Sequence, residues 1–333
     1  NSMRDIKNSL VELEEEINNI AESITGIDST VNEAATGVFD ISGKTTEIKL
    51  MADCDWGGAK TMSASKITLD LNGFTVTEDT ERLFSVAQNK EFDIIDTSAN
   101  GNGQLIDSAT DAGKNGAIIV YGTLKALGGT IKTTATNDDA WYQEDVISAY
   151  NYNPTVIIDG ATISNACTTK PAVGVHSGTV NFVSGTIEGG ILNYNDAYSV
   201  TGELAAKTQK AGSANVTYYT TLNDARRRAV YYTQGESTSE INFTLLADAS
   251  VSSRIDFMTE WSEVAARTVN FDFNGYTITA TKTLSTSVMG INTAGKVVVN
   301  DSVGTGGIDA CGSPLFYSCG YAANFTINAG TYT

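Results

Sequence analysis

The sequence predicts an all-β chain wound into stacked parallel coils, led by an α-helical coiled coil that brings three copies together. Three observations carry this expectation: a heptad seam near the N-terminus, an eight-residue motif that recurs four times, and a long internal duplication. Composition agrees with it. Of 333 residues, 41% are hydrophobic, 31 are glycine and only 3 are proline. That is enough apolar material for a large core, so global disorder is excluded. The polar remainder is rich in Thr, Ser, Asn and Gly, which suits short strands joined by many turns.

The heptad seam opens the chain. Met3, Leu10, Ile17, Ile24 and Val31 form one row, and Ile6, Leu13, Ile20 and Ile27 the other, at alternating spacings of three and four. Charged and amide residues fill the remaining positions, so a lone helix would leave an apolar stripe in water. Isoleucine at both seam positions favours trimers or tetramers over dimers. Residues 1–36 are therefore expected to form a homotrimeric stalk about 43 Å long. An amphipathic helix lying on its own subunit fits the period less well.

The eight-residue motif reads apolar–x–apolar–x–x–small–Thr–apolar. It occurs as LKALGGTI (Leu124–Ile131), VIIDGATI (Val156–Ile163), VNFVSGTI (Val180–Ile187) and FTINAGTY (Phe325–Tyr332). Each instance is a short alternating strand, a small-residue corner and a second short strand. One such unit cannot bury its apolar side alone, but units stacked in parallel make a continuous core. A coil of roughly two dozen residues suits a three-faced solenoid.

The duplication has a longer reach. KITLDLNGFTVT (Lys66–Thr77) matches RTVNFDFNGYTIT (Arg267–Thr279), with Ile67, Leu69 and Leu71 corresponding to Val269, Phe271 and Phe273. Asn72-Gly73 and Asn274-Gly275 turn the chain, and both asparagines are expected to satisfy backbone groups at that corner. The first solenoid segment is read as residues 37–192 and the second, an incomplete copy, as 235–333. Residues 193–234 hold a linker and a capping helix over Tyr218–Thr233, with Thr221 as N-cap and Leu222, Ala225, Ala229 and Val230 on its apolar side. Arg226-Arg227-Arg228 would solvate its outer face.

LDLNGFTVT and FDFNGYTIT resemble a strand of right-handed parallel β-helix proteins of the pectin-lyase-like superfamily. They are similar in particular to repetitive β-helix proteins on Gram-positive gut bacteria and in their phages. The resemblance covers about residues 44–190 and 218–333 and speaks to fold more than to activity. A trimeric coiled coil feeding a β-helix is similar in design to phage tailspikes and fibres. This implies a virion-surface protein that binds a bacterial surface glycan or protein receptor beside other virion proteins. A bacterial cell-surface adhesin and a polysaccharide-degrading tailspike are the alternatives.

Charge and chemistry narrow the partners. The net charge of −18 repels phosphate backbones, so no nucleic acid is expected, and no run of 18 apolar residues offers membrane insertion. Cys54, Cys167, Cys311 and Cys319 have no metal-ligand spacing and are read as small core residues, so no metal or cofactor is expected. His176 reads as a wall or turn histidine. The stretch Asp96–Gly116 reads as turn chemistry rather than a calcium loop.

The segment NDDAWYQEDV (Asn137–Val146) is the best glycan candidate. It offers Asp138, Asp139, Glu144 and Asp145 beside Trp141 and Tyr142, with Tyr150 and Tyr152 close behind. Aromatic faces stack on sugar rings while carboxylates bond hydroxyls. The plainer reading is a loop that is acidic for solubility, its aromatics packed on the wall. No general acid and base pair is recognisable, so no catalytic residue is assigned.

Overall fold

A computed structural model describes residues 45–333 except 63, 81, 110–115, 137–144, 168–169, 232–239, 258–267, 292–294 and 320–322. The heptad positions Met3 to Val31 lie outside the described residues. The described chain is a parallel β-solenoid in two stacks.

In the first stack, face one holds Thr45–Lys49, Lys66–Asp70, Glu91–Ile95, Thr123–Ala126, the first halves of Thr155–Asn165 and Thr179–Glu188, and Ser199–Gly202. Face two holds Cys54–Asp55, Thr75–Glu78, Gln104–Asp107, Thr130–Thr133 and the second halves of the same two long strands. Face three runs from Lys60–Met62 through Phe84–Val86, Ile118–Val120, Ile147–Ala149 and Val173–Val175 to Ile191–Asn193. Every pairing on these faces is parallel. The second stack repeats the plan from Glu240–Leu245 to Tyr332.

The recurrent motif bends as its composition requires. Its small residue marks the corner between faces one and two, where Gly129 and Gly185 take φ of 72° and 109°; in VIIDGATI that residue is Ala161, and Gly160 just before it takes 101°. Side chains with a Cβ avoid that region. Alternate residues on either side point inward: Ile67, Leu69 and Leu71 are buried, as are Val269, Phe271 and Phe273. Of the four cysteines only Cys167 is buried. Cys54 touches the edge of the core, while Cys311 and Cys319 are exposed because they sit in a turn and just past a strand end.

The stretch between the duplicated halves is built rather than open. Ala206–Lys210 and Val216–Tyr219 pair antiparallel with each other and splice face three of the first stack onto Glu240–Leu245 of the second. Registration shows what the splice does. Tyr218 stands beside Ile191 and packs against the first core. Its neighbour Tyr219 stands beside Ala206, then Leu245, in the second core. The apolar interior therefore changes to the opposite side of the sheet at this point. Strand direction reverses at the same place, and the two changes together keep one hand of winding in both stacks.

The helix is Leu222–Tyr231, shorter than expected because Tyr218 and Tyr219 belong to the strand before it. Thr221 caps it, its Oγ1 accepting the Asp224 N–H at 3.1 Å. Leu222 and Ala225 face the second core, closing its first coil. Arg226 does more than solvate, donating to the Asp256 carbonyl at 2.8 Å and so tying helix to wall.

The duplicated Asn-Gly corners share one hydrogen-bond plan. Asn72 and Asn274, at φ of 47° and 51°, each donate from Nδ2 to a carbonyl of the preceding coil, Leu50 and Leu245, at 3.0 Å. Asp70 accepts the N–H groups of Asn72 and Thr97; Asp272 accepts those of Asn274 and Ser302. Gly73 and Gly275 donate to Asp96 and Asp301 in the following coil, both at 2.9 Å. Gly103 bonds the second oxygen of Asp96, so that carboxylate is spent on backbone donors, as turn chemistry requires.

Burial alone would raise the Asp70 carboxyl, but Thr97, Lys49 and the Asn72 N–H hold it down to about 2. A folded value below the unfolded one, about 3.9, stabilises the fold above that pH and is lost as pH falls through the folded value. Thermal denaturation should therefore show a drop in Tm between about pH 4 and pH 2 that is shallower in Asp70→Asn.

Candidate functional site

Face three carries the site. Its three-residue strands place Val120, Ala149, Val175 and Asn193 in register, one coil above the next. The residues that follow, Tyr121, Tyr150, His176 and Tyr194, therefore occupy the same corner on successive coils. Ring centroids are 6.4 Å apart for Tyr121–Tyr150, 5.2 Å for Tyr150–His176 and 4.0 Å for His176–Tyr194, the last pair stacked. The result is an aromatic strip along the solenoid axis.

One turn adds to it. Asn151, Tyr152 and Asn153 all have positive φ, 53°, 50° and 57°. A bulky residue in the left-handed region costs about 1–2 kcal/mol. Asn151 and Asn153 tolerate that region, whereas Tyr152 does not, and its ring lies 5.9 Å from that of Tyr121. Tyr152 is 64% exposed, the most open ring of the strip. Local strain of this kind concentrates where a side chain must be presented.

Behind the strip lies a buried polar pair. Asp145 is 2% exposed. Its Oδ2 accepts from Ser148 Oγ at 2.7 Å and faces His176 Nε2 at 3.1 Å, while its Oδ1 has no hydrogen-bond partner. Room for the carboxylate comes from Gly174, where a Cβ would lie 1.9 Å from Oδ2. At the far end, Tyr218 donates to Asp196 at 3.2 Å; burial and then the Asp196 charge push its phenol up to about 12.

Of the residues singled out in the sequence, Asp145, Tyr150 and Tyr152 come together here. Asp138, Asp139, Trp141, Tyr142 and Glu144 lie outside the described residues. Tyr121 and Tyr194 were missed, and His176, read as a wall or turn histidine, was not counted as a site residue. Their signal was present in AIIVY, VISAY, AVGVH and ILNY, a short, largely buried strand followed each time by a ring. His176 has no carboxylate near it in sequence; Asp145 reaches it only because adjacent coils stack.

Two clefts flank the capping helix. The larger, about 470 Å³, is lined by Ser164, Glu188, Asp224 and Arg227 among others; the smaller, about 270 Å³, by Arg226 and Arg254. Their charged groups are largely engaged: Glu188 with Ser164, Asp224 with the Gly189 N–H, Arg254 with Asp256 and the Tyr317 ring. Among the described residues no group of three or more potential ligands could hold a metal ion.

Searches against protein-family models, curated proteins and solved structures return no match to this chain. The assignment of function accordingly rests on the site itself.

Gly174→Ala should lower stability by about 1–3 kcal/mol, because the new methyl must displace Asp145 or the strand. Chemical denaturation of the purified variant checks this.

Proposed function

We propose that this chain is the receptor-binding part of a trimeric surface fibre that attaches to a bacterial cell-surface glycan through the aromatic corner strip. The observation that carries this reading is the axial row Tyr121, Tyr150, His176 and Tyr194 with the exposed Tyr152 beside it. Flat rings with polar rims bury the apolar faces of sugars, while neighbouring amides such as Asn151 and Asn153 can bond hydroxyls. A net charge of −18 disfavours polyanionic partners and favours neutral or amino sugars.

The stalk over residues 1–36, the right-handed winding and a place on a phage virion beside other virion proteins belong to the same proposal. They are supported by the isoleucine-rich heptads and by the resemblance of the LDLNGFTVT and FDFNGYTIT strands to pectin-lyase-like β-helices. A protein receptor in place of a glycan, or a home on the bacterial surface, would use the same strip.

On a glycan array the full chain should bind at least one neutral or amino-sugar glycan. Tyr152→Ala should weaken that binding about fivefold with Tm unchanged, since the ring is exposed. Absence of any bound glycan, or binding indifferent to Tyr152, sinks the strip as a glycan site. Sedimentation of the full chain should give a mass three times 35.2 kDa, and removal of residues 1–36 should give monomers. A monomeric full chain would refute the stalk.

A further inference from the structure

Asp145 lies behind the strip, where a bound sugar would not touch it. Asp145 is sealed from solvent, and one of its oxygens lacks any hydrogen bond. An incompletely satisfied buried carboxylate is costly, and hydrophobic replacement would relieve that cost. The chain instead leaves space for it with a glycine at position 174. The imidazole it holds is partly open, with 22% of its side chain exposed, and sits in the floor of the strip. Tyr194 stacks on one face of that ring and Tyr150 meets it edge-on.

We propose, resting on the glycan reading above, that this pair makes the strip an esterase, removing O-acyl groups from the glycan bound there. A carboxylate is an acceptor only, so in the neutral imidazole the Nε2–H points to Asp145 and Nδ1 keeps the lone pair. No partner among the described residues occupies Nδ1. An oriented imidazole with a buried carboxylate behind it is the arrangement that activates a nucleophile.

That nucleophile is water. Ser148 is fully buried and donates to the same Asp145 oxygen, so it cannot reach a substrate. In the step, Nδ1 of His176 takes a proton from water as the water oxygen bonds to the ester carbonyl carbon. The tetrahedral adduct collapses with cleavage of the bond between the acyl carbon and the sugar oxygen. The imidazolium returns its proton to that departing oxygen. The products are a carboxylic acid and a free sugar hydroxyl, and water is the one co-reactant.

The chemistry of an imidazole base suits an ester carbonyl better than a glycosidic bond. Glycoside hydrolysis needs two carboxyl groups facing the scissile linkage. Among the described residues of the strip, Asp145 lies sealed under the histidine and Asp196 is held by Tyr218 and Asn193. An imidazole base with water suits a carbonyl carbon instead. His176 is then a catalytic residue and Asp145 a positioning residue.

The test uses the full chain with acetylated xylan fragments, following acetate release, and with 4-nitrophenyl acetate, which needs the base but not the strip. Both should be hydrolysed, and His176→Gly should lose about 100-fold or more in kcat. Free imidazole should restore turnover in that variant. Asp145→Asn should lower kcat with KM for xylan unchanged, a split that mere loosening of the wall would not give. Tyr152→Ala should raise KM for xylan.

Circular dichroism of each variant guards against misfolding, and His176→Asn, at a part-exposed position, is the fallback. Hydrolysis that is absent from the wild type, or insensitive to His176, overturns the esterase. Array binding that survives such a result would leave the glycan reading standing. Cleavage of the small ester that depends on His176, with no glycan bound, would do the reverse.

Discussion

Everything in this molecule depends on the backbone ladder between coils. Parallel strands on each face exchange hydrogen bonds with the strand one coil below and one coil above, so equivalent residues are fixed in axial rows. A row of apolar residues becomes core. A row of asparagines and aspartates becomes a capped corner, with Asn72 donating to a carbonyl of the coil before it while Asp70 and Asp96 accept backbone N–H groups from neighbouring coils. A row of rings becomes an exposed strip. The same constraint thus generates stability and surface chemistry, and separates them only by which way a side chain points.

The splice between the two stacks shows how strict the constraint is. A solenoid cannot reverse its strands and keep its interior on the same side without changing hand. The antiparallel pair Ala206–Lys210 and Val216–Tyr219 resolves this by presenting alternate residues to different cores: Tyr218 to the first, Tyr219 to the second. Thr208 bonds the Tyr219 hydroxyl at 3.2 Å, so the polar tip of that buried ring is satisfied. The capping helix then covers the first coil of the new core, which would otherwise open on solvent.

Strain and burial at the candidate site point the same way. The left-handed run Asn151–Asn153 and the sealed Asp145 both cost stability, and both lie within one coil of each other on face three. The turns at Asn72 and Asn274 also adopt positive φ, yet there each asparagine recovers a hydrogen bond to the neighbouring coil. The Tyr152 ring meets Tyr121 edge-on and is 64% exposed. That contrast distinguishes a corner built for packing from one that presents a side chain.

The sequence by itself determined the parallel solenoid, its small-residue corners, its inward rows from Ile67 to Phe273, and the asparagine caps. Each of these depends on residues close together in the chain, or on a pattern repeated from coil to coil. The site was legible only in part. Asp145, Tyr150 and Tyr152 lie near one another in the chain, but His176 and Tyr194 join them through stacking of coils whose lengths differ. Which carboxylate meets which imidazole, and on which side of a sheet the core lies, depended on register summed over many residues. Local preferences do not encode that sum; the ladder of backbone hydrogen bonds between coils does.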